Sequence, residues 1–235
     1  MRVSVRKPIS DPKLFKKQLL TWSQQFREVV FLDSNAYDHS YSSYAGLIAV
    51  DAFTSLKTDF YNAFEDLAQY QQTTRDWLFG YLSYDLKNDL EPLQSKNFDG
   101  LSFPDLFFFQ PKKLFLLHDS EVEMQYLGMC DDELEDDFEE ILSQVLHHDV
   151  QEQSLEIKQR IDSNKYISKV SSMLEHVQRG DIYEANFCME FYAENAIIDP
   201  LDKFFKLNEI SQSPFAVFFK NHKHLVVRMN WLKNY

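Results

Sequence analysis

Between Trp77 and Leu127 four aromatic or β-rich runs follow one another: Trp77 to Tyr84, Leu106 to Phe109, Leu114 to His118 and Val122 to Leu127. Gly100, Pro104, Pro111 and Asp119-Ser120 punctuate them, which predicts short strands closed by tight turns, with hairpins among them. Further short strands are expected at Val29 to Leu32 and Leu47 to Val50. Helical patterns interrupt these strands only occasionally, without a regular βαβ alternation. The expected architecture is therefore α+β, with largely antiparallel sheets and packed helices, rather than a doubly wound parallel sheet.

The helical segments carry their own signals. Ser10-Asp11-Pro12 reads as an N-cap followed by proline in the first turn, and Leu14, Phe15, Leu19, Trp22 and Phe26 then mark one face. Phe60, Phe64, Leu67 and Tyr70 indicate a second helix. The acidic run Asp131 to Glu140 is interleaved with Leu134, Phe138, Ile141, Leu142 and Val145, so its acids are expected on the solvated face of an amphipathic helix. The run lacks the glycine of a calcium loop. His147-His148 follows this helix, where imidazoles meet the C-terminal dipole favourably.

A polar stretch, Gln151 to Ser154, suggests a boundary between residues 1–154 and 155–235. Beyond it a strand is expected at Leu155 to Arg160. A helix capped at Asp162-Ser163 follows, with Tyr166, Ile167, Val170, Leu174 and Val177 facing inward. Gly180 suits the left-handed residue that commonly ends a helix. From Asp181 the period changes to two: Tyr183, Ala185, Phe187, Met189 and Phe191 share one face, and Glu184, Asn186 and Glu190 the other. Ser213 to Lys220 and His224 to Val227 read as a final hairpin.

Composition narrows the function classes. The 44% of hydrophobic residues suffices for a core, yet no apolar run approaches the roughly 20 residues that span a bilayer. The N-terminus has no apolar segment typical of a secretion signal, so no membrane partner and a cytoplasmic location are expected. Cys130 and Cys188 have no paired spacing and read as reduced thiols. A net charge of -13 argues against nucleic acid, whose phosphates require clustered Lys and Arg. Walker, Gly-x-Gly-x-x-Gly, Gly-x-Ser-x-Gly and His-Glu-x-x-His motifs are all absent.

The helix leading into Gly180-Asp181-Ile182-Tyr183-Glu184-Ala185-Asn186 resembles the corresponding segment of the chorismate-binding enzymes. Gly80 to Leu86 with Glu91, Phe103 to Leu106 and Ser213 to Phe218 stand in the same family order. The form Gly-Asp-Ile-Tyr-x-x-Asn is closer to the aminodeoxychorismate synthase component I branch than to anthranilate synthase component I. This resemblance implies an anthranilate synthase component I-like fold. It also implies an activity, addition of ammonia to chorismate for p-aminobenzoate and folate formation, with a glutamine amidotransferase subunit as partner. Mg2+ held by acidic side chains is implied for the complete enzyme, where a hard cation neutralises a substrate carboxylate.

The family's Pro-Ile-Lys-Gly-Thr motif and later glutamates are not in this sequence, and residues 228–235 leave the family pattern. The expectation is an N-terminal portion that lacks the catalytic half, with no catalytic or metal-binding residue of its own. Glu184 and Asn186 are the substrate-binding candidates. The resemblance also places a regulatory tryptophan-type pocket at Ser34, Tyr41, Tyr44, Pro214 and Phe215, with Ser43 standing where the family has Arg. Two other readings stay open: an anthranilate synthase component I, and a non-catalytic remnant that retains a ligand pocket or an amidotransferase-binding surface. In a true fragment the Asp181 to Tyr192 and Ser213 to Val227 strands would lose sheet neighbours and expose their edges.

Overall fold

Strand β1 (Arg2–Pro8) precedes helix α1 (Pro12–Trp22), which starts as its cap residues direct. The Asp11 carboxylate accepts the Leu14 amide at 3.0 Å, and Pro12 sits in the first turn, where its missing N–H costs nothing. The chain, in a computed structural model describing residues 1–35, 37, 44–93, 97–146 and 154–229, then runs through β2 (Glu28–Asp33), β3 (Gly46–Thr58), α2 (Ala63–Thr74), β4 (Phe79–Leu82) and a short α3 (Lys87–Leu90). There follow β5 (Leu106–Leu117), β6 (Glu121–Leu127), α4 (Leu134–Ser143), β7 (Lys158–Gln159), α5 (Ser163–Arg179), β8 (Phe191–Tyr192), α6 (Pro200–Ser211), β9 (Ala216–Asn221) and β10 (His224–Arg228). Two units result, 1–148 with 200–235 and 149–199.

The first unit is built on an eight-stranded sheet in the order β1-β6-β5-β3-β2-β9-β10, with β4 also paired to β5. Every pairing is antiparallel, as the α+β expectation requires. Alternation along the strands sends neighbouring residues to opposite cores. Val29 and Phe31 join Phe15, Leu19 and Leu20 of α1, Leu134 and Ile141 of α4, and Phe204 of α6 on one face. Val30, Ala49, Leu114, Leu116 and Phe219 pack on the other.

Residues 106–117 form one strand rather than the two expected on either side of Pro111. Pro111 lies opposite Ala52, where the β3 register shifts, and beside it the other neighbour changes from β4 to β6. At such an irregularity the ladder asks nothing of the missing proline N–H. Arg2, from a strand that the sequence pattern does not flag, secures the spot. Its guanidinium donates to the Pro111 carbonyl at 2.6 Å and to both oxygens of Asp76 at 2.9 and 3.1 Å.

The acidic helix is amphipathic, but not all of its acids are solvated. Asp137 is buried and accepts the Lys113 ammonium and the Tyr126 hydroxyl, the latter at 2.7 Å. Leu142 is exposed within the helix, and Val145 lies beyond its end at Ser143, where the Gln18 side-chain amide donates to the Leu142 carbonyl at 2.8 Å. The Ser213 to Val227 hairpin is also less open than expected. Strand β9 lies between β2 and β10, so both of its edges are paired.

Gly80 of β4 stands opposite Phe108, and a Cβ there would lie 1.9 Å from the Phe107 carbonyl oxygen. Backbone cannot yield as a flexible side chain can. Gly80→Ala is therefore expected to destabilise the chain by about 3 kcal/mol, read as a lowered urea midpoint at unchanged m-value.

In the second unit Asp162 caps α5 by accepting the Lys165 amide at 2.8 Å, and Gly180 ends it at φ 80°, both as expected. Tyr166 and Val170 are partly covered, whereas Ile167 and Leu174 are exposed rather than inward. The long strand expected from Asp181 is reduced to Phe191–Tyr192, paired with Lys158–Gln159. Arg160 reinforces that short pairing through two bonds to Glu190 at 2.8 and 2.9 Å and a 3.9 Å approach to the Tyr192 ring. Period-two alternation becomes a strand only where a neighbour takes its backbone groups.

Candidate functional site

Three strand ends meet at one corner of the first unit's sheet. β2 runs out at Asp33, which lies opposite Gly46 of β3 on one side and Ala216 of β9 on the other. A cavity of about 460 Å³ opens there, lined by Leu32, Asp33, Ser34 and Tyr44, by Gly46 and Leu47, and by Pro214 to Val217. Its size and its mostly apolar walls with few polar groups suit a small organic ligand.

The polar groups are held from behind. Asp33, 6% exposed, accepts the Lys16 ammonium of α1 at 2.7 Å, and Lys16 also donates to the Ala45 carbonyl at 3.0 Å. The buried carboxylate thus has its counter-charge in place, without which burial would be costly. The Ser34 hydroxyl donates to the same Ala45 carbonyl at 2.9 Å. Asn35 follows at φ 51°, a left-handed turn that Asn tolerates better than most residues, and its backbone N–H donates to Asp33 Oδ1 at 3.0 Å. Across the cavity, Ser213 is buried and its hydroxyl accepts the Phe215 amide at 3.4 Å. The Tyr44 ring leans edge-on against His118, centroids 5.6 Å apart.

Ser34, Tyr44, Pro214 and Phe215 are therefore brought together along one cavity, while Tyr41 lies outside the described residues. Glu184 and Asn186 are exposed in the second unit and stand on no strand. Lys16, Asn35 and Asn208, which support the cavity, carry no sequence signal. Asp33 had one, since it ends an apolar strand immediately before Ser34. Among the described residues no group of three or more His, Cys, Asp or Glu is placed to hold a metal ion. Nor is any described helix long and apolar enough to cross a membrane.

Sheet order and antiparallel pairing define a fold shared with MenF, the menaquinone-specific isochorismate synthase from Escherichia coli. The match has a TM-score of 0.53 at 8% identity and covers 97% of this chain and 50% of that one. The family profile described as chorismate binding enzyme matches residues 27–227, and the chain belongs to that family. The anthranilate synthase component I-like protein of Synechocystis sp. (strain ATCC 27184 / PCC 6803 / Kazusa) is 26% identical over 148 residues, 62% of this chain. The chain spans 30% of that relative's length.

Proposed function

We propose that the chain is the N-terminal portion of an aminodeoxychorismate synthase component I, an enzyme that adds ammonia from a glutamine amidotransferase partner to chorismate. Its own part in that enzyme is to bind an aromatic amino acid of the tryptophan type. The carrying observation is the cavity that unites Ser34 and Tyr44 with Pro214 and Phe215 from a distant segment. Leu32, Leu47, Phe215 and Val217 offer apolar walls for an indole ring. Asp33 and Ser34 form the polar end of the cavity, where the polar head of such a ligand would lie, and the Asp33–Lys16 pair keeps that end near neutral. The Gly180 to Asn186 segment supports the aminodeoxychorismate branch.

Calorimetric titration of the chain with L-tryptophan should give saturable one-site binding, weakened about tenfold (~1.4 kcal/mol) by Phe215→Ala. Chorismate, ammonia and magnesium should yield no product with this chain. A folded chain that ignores L-tryptophan, or one that turns over chorismate, would overturn this division of labour. The likeness to an anthranilate synthase component I-like protein favours anthranilate as the second reading. Product analysis of the whole enzyme separates the two, since formation of anthranilate excludes the aminodeoxychorismate assignment.

A further inference from the structure

Neither Asn35 nor Asn208 lines the cavity, yet the two side chains join its opposite walls. Asn35 Nδ2 donates to Asn208 Oδ1 at 2.7 Å and to the Ser213 carbonyl at 2.6 Å. Asn208 Nδ2 returns a bond to Asn35 Oδ1 at 3.0 Å and reaches Asp33 Oδ2 at 3.2 Å. The outer partners set the direction of every bond. A carbonyl and a carboxylate can only accept, so each amide must present its nitrogen to them, and in that orientation the two amides complement one another.

The mechanical consequence follows from where these residues sit. Asn35 continues the β2 end that carries Asp33 and Ser34, and Asn208 stands on α6, one turn before Ser213-Pro214-Phe215. Lys16 of α1 closes the same network on Asp33 Oδ1. We infer that the Asn35–Asn208 amide pair is a latch that positions the two walls and so sets the affinity of the cavity without touching its ligand. This rests on the reading of the cavity as an aromatic amino acid site.

The test uses the whole chain, L-tryptophan titrations and thermal melts. Asn208→Ala and Asn35→Gly, the latter keeping left-handed freedom, should each weaken L-tryptophan binding about tenfold. Asn208→Asp should be worse than Asn208→Ala despite its matching shape, because it sets a carboxylate against Asp33. The double variant Asn35→Gly/Asn208→Ala should lose clearly less than the sum of the two single losses, in binding and in melting, since the mutual pair is lost only once while each residue's own outer bond is lost in turn. Gly80→Ala, outside the cavity lining, should lower the melting temperature yet leave affinity within about twofold.

Unchanged affinity in the latch variants would overturn the inference. So would additive losses, or an equal loss of affinity in Gly80→Ala. If the unmodified chain binds no L-tryptophan, the ligand reading fails and the affinity role of the latch fails with it, whereas losses confined to the latch variants of a chain that binds leave the ligand reading standing and bear on the latch alone.

Discussion

Replacing Lys113 by alanine is expected to cost about 3–5 kcal/mol of stability, the scale of a buried ion pair broken from one side. Lys113 is 3% exposed, yet its ammonium meets Asp137 and Glu133, the latter at 2.6 Å, and lies 5.2 to 5.6 Å from the ring centroids of Trp22, Phe26 and Tyr126. Burial works against this ammonium, but its bonds to the two carboxylates hold it above its ordinary pKa. The cation binds the sheet to α4. Without it, Asp137 and the Tyr126 hydroxyl remain buried around an unpaired negative charge.

The pH dependence of that loss provides a second check. Burial pushes Asp137 up from the usual carboxylate range, and the bonds from Lys113 and Tyr126 offset only part of that push. Removing Lys113 takes away the main counterweight. A carboxylate with a raised folded pKa binds its proton more tightly folded than unfolded, so the penalty in Lys113→Ala should shrink as pH falls through that pKa. Urea unfolding at a series of pH values reads both effects. A loss below about 1 kcal/mol, typical of a surface pair, would contradict the clip. Lys113→Met with Asp137→Leu should recover part of the stability, because paired removal leaves no orphan charge although the buried Tyr126 hydroxyl loses its acceptor.

Phe204→Ala is the second large effect, about 3–5 kcal/mol for emptying a buried aromatic site. Phe204 is fully buried and packs edge-on against Phe31 of β2 at 5.7 Å and Phe218 of β9 at 5.6 Å. One side chain from α6 thus joins the core that also holds residues of α1 and the sheet. If residues 200–228 were only a loosely attached tail, the substitution would leave the main unfolding transition unchanged. The expected result is one cooperative transition shifted to lower denaturant.

Much of the fold was legible where the signal is local. The Asp11 and Asp162 caps, the left-handed Gly180 and the aromatic runs of β4, β5 and β6 each depend on a few adjacent residues. β1 went unread because its Arg-rich alternation is that of an exposed edge, with only Val3 and Val5 as apolar members. α6 went unread although Phe204 and Leu201 share a helical face. The pocket residues carried from the family resemblance converge on one cavity where they are described, but Glu184 and Asn186 do not stand on the strand their alternation predicted.

The sequence by itself determined the antiparallel α+β class, the helix ends and, through Gly180 to Asn186, the chorismate-binding kinship. Those properties reside in dihedral preferences, periodicity and contiguous motifs. Only the tertiary structure decided that Pro111 lies within a strand, that Asp137 turns inward and that β9 enters the sheet beside β2. It also decided that Asn35 meets Asn208. Each of these depends on a partner far away in the chain, and that partner is chosen by burying both sheet faces together while satisfying every enclosed polar group.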